Sequence, residues 1–269
     1  MNTSRTYQVE GVILKQARLG ENDRILTVFT SELGKLRVVA KGACSPRSKF
    51  TGNVEPLTHA VMLLAKGRNL DILTQSQTIN NFLDLKKDLW RLACGLYVLE
   101  LVDSFTIEGS ESRPLFTSLL EILNELNAAA NSEIALRYFE LRLLRYAGYR
   151  PQLQRCAICD QPLRPELNFF EPSKGGIVCP HCYSRENPKA RYPVSVEALK
   201  VFRLWQSCDY ATAKRIKLKS NLSTELDHVL HGHISYLLGK ELKSRLWLQR
   251  LKKELLSKER TATVNQGVC

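Results

Sequence analysis

The sequence predicts an α+β fold, in which a small N-terminal β-barrel precedes an α-helical domain that carries an inserted four-cysteine metal module. Three observations support this prediction. Short β-prone segments fill residues 1–80, helical periodicity begins at about residue 81, and two pairs of cysteines lie between Cys156 and Cys182. A chain of 269 residues is long enough for two domains with a substantial core.

The N-terminal domain, residues 1–80, contains five short segments with high β propensity, separated by turn-rich gaps. These segments are residues 11–14, 25–29, 36–40, 60–64 and 70–73. From Leu36 to Lys41, apolar and charged residues largely alternate, which predicts one buried and one charged face. Five strands in about eighty residues suit a small closed barrel, and the oligonucleotide-binding (OB) barrel is a common form that also binds nucleic acids.

The second domain, residues 81–260, is predicted to be helical because apolar residues recur at spacings of three and four. Gly148 is predicted to end one helix and Ser195 to cap another. A last helical region is expected over 223–257, where Gly232 and Gly239 would break or bend it. Residues 261–269 are small and polar and are predicted to form a disordered tail.

Cys156-Ala-Ile-Cys159 and Cys179-Pro-His-Cys182 are separated by nineteen residues. Two such turns supply the four thiolates of a tetrahedral zinc site, so we predict one structural Zn²⁺ per chain within a module at 153–185. Four protein ligands leave no open position for a substrate. His181 is a weaker alternative ligand to Cys182, and a redox role for one pair would leave the other pair without a function. The other cysteines are scattered singly, which favours a reducing compartment.

The charge is concentrated at both ends of the chain. The net charge is +12, and residues 1–80 carry 11 basic and 6 acidic side chains while residues 185–269 carry 17 and 8. This distribution predicts a polyanionic partner, most often nucleic acid. The predicted DNA-binding residues are the cations of the barrel: Lys35, Arg37, Lys41, Arg47, Lys49, Lys66 and Arg68.

Aromatic residues are few in the barrel, where only Tyr7, Phe29 and Phe50 occur. The surface is therefore expected to bind the phosphate backbone without much sequence preference, and to weaken steeply with salt. No nucleotide-binding loop, nucleophile elbow or zinc-protease motif occurs, so the protein is predicted not to be an enzyme. A second metal site at the histidines of residues 228–233 is not favoured, because no carboxylate partner is evident.

Several motifs, in their order along the chain, resemble the RecO family of bacterial recombination mediators. The motifs are Glu10–Lys15, Gly20–Phe29, Gly34–Arg37, Lys41–Ala43, Pro46–Phe50, Arg137–Leu144, Gly148–Pro151 and Leu242–Arg245. The resemblance implies an OB barrel, a helical domain with zinc, and no enzymatic activity. It also implies binding of single- and double-stranded DNA, annealing of strands coated with single-strand-binding protein, and loading of the RecA recombinase together with RecR.

Two departures qualify the resemblance. Many members carry further basic residues where this chain has Cys44-Ser45, and some members lack the four cysteines. The predicted protein is a cytoplasmic DNA-repair mediator, nucleoid-associated when bound to DNA, with no membrane partner, since no signal peptide or spanning segment is evident. An RNA-binding or ribosome-associated protein and an enzyme acting on nucleic-acid ends are the alternatives.

Overall fold

The computed structural model describes residues 5–45, 48, 50, 52, 54–128, 132–183 and 191–266. The chain forms two compact units. The first, called the barrel unit, comprises Met1–Glu111, Leu126–Ala129 and Glu241–Cys269. The second, called the helical unit, comprises Ser112–Glu125 and Ala130–Lys240. The division therefore does not follow the predicted boundary at residue 80, because helices from both ends of the predicted second domain belong with the barrel.

Five strands form the closed barrel, and their order is β1-β2-β3-β5-β4. The strands are β1 (Thr6–Leu19), β2 (Asp23–Thr30), β3 (Gly34–Ala40), β4 (Thr58–Ala65) and β5 (Asp71–Asn80). All neighbours are antiparallel except β3 and β5, and pairing of β4 with β1 closes the barrel. This arrangement confirms the predicted OB-type barrel.

The alternation predicted for the third strand is present in β3. Leu36, Val38 and Ala40 face the apolar barrel interior, where they pack with residues such as Met62. A bulge in β1 between Ile13 and Lys15 changes the alternation along that strand. Ile13 is therefore buried in the core while the Lys15 side chain is 60% exposed, opposite Thr27 of β2.

Three helices complete the barrel unit: α1 (Leu83–Lys87), α2 (Leu89–Phe105) and α8 (Lys243–Gln266). Helix α2 packs against β1 and against α8. The Glu100 carboxylate of α2 accepts hydrogen bonds from the backbone N–H groups of Lys243 and Ser244, at 3.2 and 2.8 Å. Because the first N–H groups of a helix have no partner within it, this contact stabilises the start of α8. Helix α8 includes residues 261–266, for which the sequence predicted a disordered tail, and residues 267–269 lie outside the described part.

The helical unit combines helices with a small sheet. Its helices are α3 (Arg113–Asn127, of which the last two residues belong to the barrel unit), α4 (Ser132–Tyr146), α5 (Val196–Ser207), α6 (Tyr210–Ala213) and α7 (Ser220–Leu238). Its three strands, in the order β7-β6-β8, are β6 (Asn168–Glu171), β7 (Gly176–Val178) and β8 (Tyr192–Val194). Buried Arg137 of α4 pairs with Glu140 at 2.9 Å and with Asp227 of α7, which ties the two helices together.

The predicted helix boundaries in this unit are mostly confirmed. Gly148 follows the end of α4 with a positive φ of 86°, and the Ser195 hydroxyl accepts a hydrogen bond from the N–H of Ala198 at the start of α5. Gly239 ends α7, also at positive φ. Gly232 does not break α7, since its role is steric: a Cβ there would lie 2.1 Å from the Tyr192 ring.

In the part of the chain that the structure describes, no helix is both long enough and apolar enough to span a bilayer.

Candidate metal centre and nucleic-acid interface

The four predicted cysteines meet in the helical unit. The sulfur atoms of Cys156, Cys159, Cys179 and Cys182 all lie within 4.8 Å of one another, and those of Cys159 and Cys179 are 3.9 Å apart. A tetrahedral zinc ion with Zn–S bonds of about 2.3 Å places its sulfurs about 3.8 Å apart. The cluster therefore fits a metal ion with small adjustments, and it is the one such group found among the described residues.

Local backbone contacts position the two cysteine turns. The N–H of Ala157 donates to the Ile177 carbonyl at 2.8 Å, which fastens the first turn to β7. Gly175 turns the chain at φ 63°, and Gly176 lies so close to Gln152 that a Cβ would be 2.7 Å from the Gln152 carbonyl oxygen. Gly175 and Gly176 thus permit a tight approach that brings the second cysteine pair to the first.

The electrostatics of the cluster favour a thiolate at Cys156 and a protonated thiol at Cys182. Burial raises the pKa of Cys156, but the backbone N–H groups of Cys159, Cys179 and Ile158 outweigh this effect and lower the pKa to about 6. Hydrogen bonding to Cys159 is the main reason that the pKa of Cys182 is raised to about 12. Thiols that share protons in this way take up a divalent cation by releasing those protons. The cluster can therefore hold a metal ion such as zinc, whereas His181 is exposed and outside it.

The histidines near the C-terminus do not form a second centre. His233 is 1% exposed and lies edge-on to Phe170, while His228 lies edge-on to Tyr192. Their rings therefore pack against different aromatic side chains. Among the described residues they form no group of metal ligands.

The outer face of β1, β2 and β3 carries part of the predicted DNA-binding set. The strand register aligns Lys15, Thr27 and Arg37 in one row across the three strands. Arg37 is 47% exposed, and its Nε lies 3.9 Å from a Glu108 carboxylate oxygen. A groove of about 320 Å³ lies between these side chains, with Asp103 on its border. Cations are thus available on this face, and carboxylates lie beside them.

Lys35, one of the predicted DNA-binding residues, makes contacts within the protein. Its Nζ donates to the Asp103 carbonyl at 2.6 Å and lies 3.3 Å from the Asp103 carboxylate, and the side chain is only 13% exposed. Burial would raise the pKa of Asp103, but Lys15 and Lys35 lower it below its ordinary value. Lys35 therefore holds α2 against the barrel and is poorly placed to bind a phosphate.

The remaining predicted cations lie around the same strands. Lys41 is exposed directly after β3, and Lys66 and Arg68 are exposed in the loop between β4 and β5. That loop borders β3, because Asp71 at its end pairs with Val38. The Lys66 Nζ also lies 4.5 Å from the centre of the Tyr7 ring, which orients it. Arg47 and Lys49 lie outside the described residues.

Sequence reasoning missed three cations of the barrel. Lys15 reaches the outer face only because of the β1 bulge, and a bulge leaves no reliable signal in a single sequence. Arg18 and Arg24 lie opposite each other next to the β1–β2 turn. These two flank the turn residues at 19–23, so a hairpin register drawn from the sequence would have found them. We call Arg37, Lys41, Lys66 and Arg68 the basic face. Lys15 is left out because its Nζ pairs with the Asp103 carboxylate at 2.6 Å.

An OB barrel with exposed cations, followed by helices and a four-thiol cluster, is an architecture typical of proteins that bind nucleic acids. Residues 1–82 match the family model described as Recombination protein O N terminal, and residues 86–246 match Recombination protein O C terminal. The chain belongs to the RecO family of DNA repair proteins. The resemblance noted from the sequence motifs is confirmed, and the family supports a role in DNA repair and recombination.

Individual relatives agree with this assignment. The chain is 36% identical over 251 residues to the DNA repair protein RecO of Dehalococcoides mccartyi (strain ATCC BAA-2266 / KCTC 15142 / 195), covering 93% of this chain and 98% of that protein. It is 36% identical over 251 residues to the DNA repair protein RecO of Roseiflexus sp. (strain RS-1), covering 93% and 88%. It is 34% identical over 255 residues to that of Desulforamulus reducens, covering 94% and 98%.

Proposed function

We propose that this protein is a non-enzymatic mediator of recombinational DNA repair. In this proposal it binds single- and double-stranded DNA and anneals complementary strands coated with single-strand-binding protein. Together with RecR it helps to load RecA, and it acts in the cytoplasm, at the nucleoid when bound to DNA. The observation that carries the proposal is the basic face on an OB barrel in a chain of the RecO family.

The proposed mechanism is electrostatic. Two complementary strands repel each other through their phosphates, and cations held on a rigid barrel reduce that repulsion. Binding of cations to phosphates also releases condensed counterions, which provides affinity that does not depend on sequence. Arg37, Lys41, Lys66 and Arg68 are proposed to make these contacts, together with Arg47 and Lys49, which the sequence predicted.

The proposed metal is one structural zinc ion per chain, bound by Cys156, Cys159, Cys179 and Cys182. Its support is the four-thiolate donor set, because closed four-sulfur sites are typical of structural zinc. Metal analysis of the reduced protein should find about one zinc ion per chain, and a Cys156→Ser variant should bind less. Reduced, folded protein without any zinc would contradict the proposal.

A variant of the basic face tests the DNA contacts. Changing Arg37, Lys41, Lys66 and Arg68 to Gln should lower affinity for a single-stranded oligonucleotide and reduce the slope of log affinity against log salt by about 3, since each phosphate contact contributes about 0.7. The matched control changes four exposed cations of the helical unit to Gln, which removes the same charge. The control residues are Arg164, Lys174, Lys200 and Lys217. An equal slope in both variants would refute the assignment.

Annealing assays test the wider function. The wild type should anneal complementary strands coated with single-strand-binding protein, and the basic-face variant should do so more slowly. Labelled DNA incubated with the protein, a divalent metal and a nucleotide should remain covalently unchanged. Turnover of that DNA would favour an enzyme acting on ends, and preference for matched RNA in competition would favour an RNA-binding protein.

A further inference from the structure

Helix α8 presents an exposed tryptophan between two cations. We propose that Lys243, Trp247 and Arg250 form a second contact for single-stranded nucleic acid, in which the Trp247 ring stacks on a base and the two cations bind the flanking phosphates. This inference rests on the proposed DNA-binding function and deepens it. Trp247 would contact a base, whereas the other proposed DNA contacts involve only the phosphate backbone.

The helix geometry separates this stripe from the buried side of α8. The buried residues recur every three positions, as expected for the side of the helix that packs within the barrel unit. They are Leu242, Arg245, Leu248 and Leu251. Lys243, Trp247 and Arg250 are exposed and follow one another at spacings of four and three. Residues at these spacings share a face, and the rise per residue places them about 6 and 4.5 Å apart along the axis.

The chemistry of the stripe fits a single strand. Trp247 is 36% exposed, whereas Trp205 is fully buried and Trp90 is partly buried. An exposed aromatic ring provides a surface for base stacking, and neighbouring cations bind the backbone. The exposed residues of α8 from 243 to 254 include Lys243, Arg250, Lys252 and Lys253 against one acidic residue, Glu254. This charge complements a polyanion.

Other partners are less well matched to this face. A helix that lies on a membrane buries a continuous apolar side, but from 243 to 255 the exposed apolar side chains of α8 are only Leu246, Trp247 and Leu255, because Leu248 and Leu251 are buried. An apolar protein partner would leave Lys243 and Arg250 without counter-charges. The membrane alternative is one outcome of the test.

The test compares an oligothymidylate with an oligomer of the same length in which every base is replaced by an abasic site. Both carry the same phosphates, so the difference in affinity isolates the bases. The wild type should bind the oligothymidylate more tightly by about 5- to 160-fold, as expected for a stacked base. The difference should vanish in Trp247→Ala and largely return in Trp247→Phe. Quenching of tryptophan fluorescence by the oligothymidylate should vanish in both variants.

Controls separate this inference from the proposed function. Leu246→Ala removes an exposed apolar side chain next to Trp247 and should change neither affinity nor quenching. Lys243→Gln with Arg250→Gln should reduce the salt slope for both oligomers by about 1.4, the value for two phosphates. If Trp247→Ala keeps the preference for the base-containing oligomer, the inference is overturned, while loss of binding in the basic-face variant still upholds the proposed function. Quenching by anionic lipid vesicles without quenching by the oligothymidylate would also overturn it.

Discussion

Burial of His233 should make the helical unit sensitive to mild acid. The ring lies within the unit, 1% exposed and edge-on to Phe170 with 5.0 Å between ring centres. Burial lowers the pKa of His233 to about 4, from an ordinary value of 6.5. The folded protein therefore holds the neutral imidazole, whereas the unfolded chain takes up a proton below pH 6.5.

The direction and size of the effect follow from proton linkage. The contribution of this group to stability is fully present above pH 6.5 and is lost progressively as the pH falls to about 4. A pKa difference of about 2.5 corresponds to about 3.4 kcal/mol at the acid limit, since each pKa unit corresponds to about 1.36 kcal/mol. At pH 4.5 the loss relative to neutral pH should be about 2.5 kcal/mol.

Urea unfolding at pH 7.5 and pH 4.5 measures this loss. Trp205 is fully buried in the helical unit, so its fluorescence reports that unit when Trp90 and Trp247 are both changed to Phe. In this background, His233→Leu should lose about 2.5 kcal/mol less than the parent between the two pH values. If the thiols hold a metal ion, its release in acid would affect both proteins and would cancel in the comparison. Equal losses in the two proteins would refute the argument.

Two further predictions concern ion pairs. Glu108→Gln should raise affinity for single-stranded DNA severalfold at low salt, because Glu108 lies 3.9 Å from Arg37 and competes with phosphate. This gain in affinity should disappear at high salt. Glu166→Gln, at an exposed position, serves as the control. Arg137→Met should destabilise the helical unit by about 3–5 kcal/mol in urea unfolding, because it leaves the buried Glu140 carboxylate without its ion pair. Stability should recover when Glu140→Leu is added to Arg137→Met. An unchanged urea midpoint in Arg137→Met alone would contradict the prediction.

The parts of the fold that were predicted from sequence are those that depend on local spacing. The alternation from Leu36 to Lys41 shows which side of β3 faces the core, because side chains in a strand alternate strictly. The two Cys-x-x-Cys turns show which thiols can meet, because each turn brings its own pair together. Both patterns involve neighbouring residues and can be recognised without knowing the tertiary structure.

The parts that were missed depend on contacts between distant residues. Lys35 and Asp103 are 68 positions apart, so nothing near Lys35 in the sequence indicates that its charge is used within the protein. The packing of α8 within the barrel unit includes the contact of Glu100, which lies more than 140 positions before the residues that it contacts. The sequence pattern thus indicated the helices, but it could not show which cations form ion pairs within the fold.

Carboxylates that pair with cations on the outer face of the barrel have a consequence for the proposed mechanism. Asp103 neutralises Lys35, and Glu108 lies beside Arg37, so part of the charge of the outer face is balanced before any DNA binds. The segment that carries Glu108 is fixed to β3 by a hydrogen bond from Gly109 to the Lys35 carbonyl, and therefore this balance belongs to the fold. Annealing requires that strands be held and then released as a duplex. A basic face moderated by its own carboxylates favours that release, because the free energy of each phosphate contact is reduced by the ion pair that it replaces.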